Sequence, residues 1–121
     1  MPAPQPSDIS VFTSSAEFRA WLAEHHDSAQ EIWVGYYKKH VAKTSMTYPE
    51  AVEEALCFGW IDGTGHRVDD EVWANRFTPR RRTSGWSALN IARVAELTAA
   101  GRMHPAGLRV FEERDRRKDG S

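Results

Sequence analysis

The chain has 121 residues, 40% of them hydrophobic, with five Trp and five Phe, enough apolar material for one compact core and too little length for a second sizeable domain. Sixteen basic residues stand against 17 acidic ones, a net charge of −1, so the protein lacks the overall basic field that draws a domain to nucleic acid or anionic lipid. Any affinity for anions must come from a local patch. Met1–Ser10 has no basic and apolar leader pattern, no run of about 18 apolar residues occurs, and the single cysteine, Cys57, cannot form an internal disulfide. A cytoplasmic protein with no membrane span is the expectation.

Pro2, Pro4 and Pro6 predict a disordered tail over residues 1–10, with the fold starting near Val11. Ser14 and Glu17 have capping-box spacing, and Phe18, Trp21, Leu22 and His25 recur at helical intervals, which predicts a helix over Ser15–His25. Glu31–His40, dense in β-branched and aromatic residues, reads as a strand. A second capping box, Thr47 with Glu50, opens a helix with Pro49 in its first turn and Val52, Ala55, Leu56 and Gly59 as its buried stripe. After Gly63 and Gly65, His66–Val68 and Val72–Phe77 are expected to form a hairpin about the turn Asp69-Asp70-Glu71.

A third helix is predicted from Trp86 or Ser87 to Ala100, with Ile91, Val94, Ala95 and Thr98 on one face and Gly101 as its stop. Pro105 suits the first position of a fourth, with Leu108 and Phe111 facing inward. Residues 114–121 alternate charges without apolar anchors and read as a fraying tail. The expected fold is α+β: one domain over residues 11–113, a small antiparallel sheet of about three strands packed with about four helices.

Four segments, Glu54-Ala55-Leu56-Cys57-Phe58-Gly59-Trp60-Ile61-Asp62-Gly63, Arg76-Phe77-Thr78-Pro79-Arg80-Arg81, Ser84-Gly85-Trp86-Ser87 and Gly101-Arg102-Met103, resemble in order and separation the YdeI/OmpD-associated, or bacteriocin-protection, family. The resemblance extends from about Phe12 to Phe111. It implies a role in stress resistance or bacteriocin protection and brings no settled catalytic residues. Two departures stand out: many members continue with a further Lys- and Arg-rich helical segment, and Gly85 stands where relatives often carry a larger polar residue.

The candidate site is Trp60, Asp62, Arg76, Thr78, Arg80, Arg81 and Trp86. Guanidinium forks suit carboxylate or phosphate, the tryptophans offer flat walls that accept cations or rings, and Gly59 and Gly63 permit a tight turn beside them. The functional reading is a pocket for a small anionic ligand or a protein partner. In the structural reading Asp62 pairs with Arg76 or Arg80 under the tryptophans and merely holds the hairpin to the helix.

Two rival functions use the same segment: an enzyme with Asp62 as acid or base, and a nucleic-acid module using Arg80, Arg81 and Arg82, the latter disfavoured by the near-neutral charge. Cys57 lacks an activating neighbour and reads as a buried apolar residue. Thr64 has no evident base. His25, His26, His40, His66 and His104 show no metal-ligand spacing, and no phosphate-loop, dinucleotide or nucleophile-elbow pattern occurs, so no metal and no cofactor is expected.

Overall fold

The computed structural model describes residues 8–120, so the expected disorder of Met1–Ser7 lies outside the described residues. The elements in order are β1 (Ile9–Ser10), α1 (Ser15–His25), β2 (Ile32–Tyr37), α2 (Tyr48–Cys57), β3 (Trp60–Arg67), β4 (Val72–Pro79), α3 (Ala88–Ala99) and α4 (Pro105–Glu112), followed by a 3-10 turn at Arg116–Lys118. The architecture is α+β, with four helices and one sheet of order β1-β2-β4-β3. That sheet has four strands and is mixed, because β1 pairs parallel to β2 while the other pairs are antiparallel. Ile9 and Ser10, expected to belong to the tail, are instead a strand opposite Trp33 and Val34.

The capping signals position α1 and α2 as expected. Ser14 Oγ accepts from Glu17 N, and the Glu17 carboxylate reaches Thr13 N rather than the cap residue's own amide. In α2 the box is complete, Glu50 N donating to Thr47 Oγ1 at 3.3 Å and Thr47 N to Glu50 Oε1 at 2.9 Å. The hairpin is longer than the sequence suggests. Gly59, at φ 79°, ends the helix and β3 starts at once with Trp60, so residues 60–65 are strand, interrupted by a bulge between Asp62 and Gly65.

Alternation along the strands separates two faces. Ile32, Val34 and Tyr36 of β2, Trp60 of β3 and Phe77 of β4 join Phe18 and Leu22 of α1, Ala51, Ala55 and Leu56 of α2, and Val94 and Leu97 of α3 in one core. On α3 the buried stripe is Val94 and Leu97 with Ile91 beside them, whereas Ala95 and Thr98 are exposed. Phe111 and Val110 pack against the core from α4, where Leu108 is only half-buried. Trp33, Ile61, His66, Arg76 and Thr78 alternate with core residues and so lie on the opposite face of the sheet.

The charged C-terminal stretch is tied down rather than frayed. Arg114 lies over the Phe111 ring at 3.8 Å and forks onto Asp119, Lys118 Nζ donates to the Thr83 carbonyl, and Gly120 N donates to Trp86 O at 2.7 Å. Glu54, buried on α2, accepts from Arg19 of α1 at 3.1 Å and from Arg102 of the α3–α4 link at 3.0 Å, joining three elements.

The N-cap of α4 carries a pH dependence. His104 Nδ1 accepts from Ala106 N at 3.0 Å, which requires an unprotonated Nδ1, and its ring lies 4.9 Å from that of His26 and 4.5 Å from that of Phe58. Burial, with His26 and Arg19 as smaller contributors, lowers its pKa from 6.5. The unfolded chain therefore binds this proton at a higher pH than the folded one. Stability present above about pH 6.5 is lost as pH falls through that value toward the folded pKa. A melting-temperature profile between pH 7.5 and 5 should fall toward acid, and His104→Asn, which keeps a capping side chain without titrating, should flatten it. Parallel profiles for the two proteins would refute this assignment.

Candidate functional site

The hairpin ends in Pro79, and the next residue turns inward. Arg80 N donates to Gly59 O at 2.9 Å, pinning the end of β4 to the turn that begins β3. Its side chain is 9% exposed, with the guanidinium carbon 4.1 Å from the Trp86 ring centroid and Nη1 donating to Gly85 O at 3.0 Å. Nε is buried with no acceptor. Burial pulls the guanidinium below the ordinary arginine pKa, opposed by the charge of Asp62, but no carboxylate lies within ion-pair distance of it among the described residues.

A cleft of about 550 Å³ opens here, walled by Ile61, Arg76, Thr78, Arg80, Arg81 and Ser84, with Glu31 at its side. Four of the seven expected residues, Arg76, Thr78, Arg80 and Arg81, thus share one cavity. Thr78 faces Ile61 across the β3–β4 ladder. Arg81 and Arg82 are exposed while Arg80 is buried, so the three-arginine run is not one solvated stripe. The Arg81 amide donates to Ser84 Oγ at 3.2 Å, closing the loop that carries Gly85 and Trp86.

The other three expected residues stand elsewhere. Trp60 is in the core, 5.8 Å from Trp21 in an edge-to-face contact. Trp86 is 1% exposed and supports Arg80 from beneath without lining the cleft. Asp62 falls on the core side of β3, opposite Phe77, where it accepts from the Tyr48 hydroxyl. The pair of the structural reading, Asp62 with Arg76 or Arg80, is not among the ion pairs of the described residues. Arg76 pairs instead with Glu31, which no sequence pattern singled out.

Burial and the bond to Asp62 push the Tyr48 hydroxyl up to about 12. Beside it Tyr36 donates to Asn75 Oδ1 at 2.6 Å, and burial raises its hydroxyl above the ordinary range. These groups form a polar seam inside the domain and are remote in role from the cleft. Cys57 is fully buried and its thiol is pushed up by that burial, which opposes thiolate chemistry. Among the described residues no three His, Cys, Asp or Glu side chains converge as a metal site, and no helix is long and apolar enough to cross a membrane.

Residues 10–110 match the model of a family described as a domain of unknown function, DUF8412. The chain belongs to that family. No curated protein and no solved structure matches the chain. The DUF8412 match spans α1 to α4 and hence every wall of the cleft, and nothing in it links the chain to the YdeI/OmpD-associated proteins.

Proposed function

We propose that this DUF8412 domain binds a small anionic ligand in the cleft beneath Arg80 and Arg81. The observation that carries the reading is the state of Arg80: a nine-tenths buried guanidinium with one backbone acceptor and, among the described residues, no carboxylate partner and an orphan Nε. A buried charge of that kind is costly unless paired, and an anion entering the cleft supplies the missing charge. Arg81 adds positive charge, Thr78 and Ser84 add hydroxyl donors, and Glu31 is neutralised by its pair with Arg76. The resemblance to YdeI/OmpD-associated proteins would place such binding in stress protection.

The acid–base reading of Asp62 draws less support, since that carboxylate faces the core and is held by Tyr48. Binding is read as stabilisation by inorganic phosphate or acetate in thermal melts, since a ligand at 100 times its Kd adds about 2.7 kcal/mol. The Arg81 side chain is exposed, so Arg81→Ala should leave the melting temperature without ligand unchanged and weaken phosphate binding about tenfold, the worth of one charge-assisted hydrogen bond. Absence of any anion-induced stabilisation in the unsubstituted protein would remove the reading.

A further inference from the structure

The sheet face that carries the cleft continues into a second hollow. β4 lies between β2 and β3, and its Ala74 offers only a methyl group on that face, so the rings of Trp33 from β2 and His66 from β3 meet across it, 5.5 Å apart at 60°. With Gly63, Thr64 and Arg76 they enclose about 420 Å³. Arg76 lines both hollows. Gly63 leaves space beside the bulge of β3, where a Cβ would come within 3.3 Å of the Arg76 carbonyl oxygen. Trp33 is half-buried and presents part of its ring to this hollow beside His66, next to the cationic cleft.

Resting on the anion-binding reading above, we infer that the ligand is a mononucleotide-like compound. Its phosphate lies between Arg80 and Arg81, and its planar base lies in the adjoining hollow against Trp33 and His66. The geometry sets the reach. Trp33 pairs directly with Arg76, and Arg80 follows four residues later, one residue past the end of β4, so strand rise puts the two at most about 13 Å apart. A bare phosphate fills one hollow, and a compact aryl acid cannot span both. A base joined through a sugar to a phosphate covers that separation. The net charge of −1 favours a single small ligand over a polyanionic strand.

Isothermal titration of the full chain at fixed ionic strength tests this with inorganic phosphate, adenosine, adenosine 5′-monophosphate and 4-aminohippurate, an aryl carboxylate of comparable reach. The monophosphate should bind at least tenfold tighter than phosphate, within the range that stacking on an aromatic side chain supplies. Trp33→Leu should bring the monophosphate down to the phosphate level without changing phosphate binding itself, and Trp33→Phe should retain most of the gain. Should Trp33→Leu fail to fold, His66→Ala reads the same wall.

Phosphate binding with no gain for the monophosphate overturns the base subsite and leaves the anion cleft standing; no binding of either removes both. Adenosine binding as tightly as its monophosphate overturns the two-part ligand. Tighter binding of 4-aminohippurate overturns the phosphate assignment.

Discussion

Gly107→Ala is expected to destabilise the domain by about 3 kcal/mol and to lower its melting temperature by on the order of 10 °C. Helix propensity alone gives the opposite sign, because alanine in a helix is favoured over glycine by about 1 kcal/mol. The environment decides. A Cβ at Gly107 would overlap the Cys57 carbonyl oxygen, lie 2.6 Å from its carbonyl carbon and come 3.0 Å from Met103 Cε. The first two obstacles are backbone at the end of α2 and cannot swing aside.

Relief requires α4 to lift away from α2, which breaks the bond from His104 N to Cys57 O, 3.0 Å long, and withdraws Val110 from Gly59. Circular-dichroism melts give the stability, and the reaction rate of the fully buried Cys57 thiol with a disulfide reagent gives an independent reading of the lifted helix. An unchanged or raised melting temperature with an unreactive thiol would mean that α4 does not approach α2 this closely.

The same helix shows what a sequence can and cannot convey. The limits of α1 and α2 are written locally, in Ser14 with Glu17 and Thr47 with Glu50, and each lies where its caps direct. Nothing local marks Gly107 as a contact residue, because the atom it must avoid lies 50 residues earlier. β1 is hidden for a similar reason: two residues next to a proline-rich stretch become a strand only through pairing with β2. The opening half of β3 was obscured by its glycines, which read as a turn and are in fact a bulge.

The bulge reshapes the site. Once residues 60–62 are a strand, alternation alone sends Trp60 and Asp62 to one face and Ile61 to the other, so Asp62 leaves the arginine cluster and joins Tyr48. The arginines themselves were legible as a cluster because Arg76, Thr78 and Arg80 are spaced by two along one strand and its extension. Their surroundings were not. Glu31, Trp33 and His66 reach the cleft and its neighbouring hollow only through strand pairing, and the near-continuous apolar run Ile32–Tyr37 does not itself tell Trp33 from its core neighbours.

Trp86→Ala is expected to cost about 3–5 kcal/mol and to abolish anion binding with it. The indole is 1% exposed and sits between two partners: the Arg80 guanidinium over its face at 4.1 Å, and the Phe111 ring against it at 5.2 Å and 72°. Phe111 in turn carries Arg114, whose fork holds Asp119, so removing the indole unseats both the arginine of the cleft and the C-terminal clasp. Trp86→Phe keeps a ring and should lose only part of the stability.

The arginine contribution separates in a double-mutant cycle of Trp86→Ala with Arg80→Leu. A guanidinium desolvated over an indole is worth about 2 kcal/mol, so the paired loss should fall short of the sum of the single losses by about that amount. Additive losses would show that the two residues are merely neighbours in the core. Coupling of the expected size makes the arginine's position a property of the loop from Arg80 to Trp86, and an anion that draws Arg80 off the indole would then bind more weakly by up to about 2 kcal/mol. An anion that leaves the stack intact and meets the unused donors of the guanidinium gives up none of that coupling, so at equal concentration it binds more tightly and stabilises the fold more.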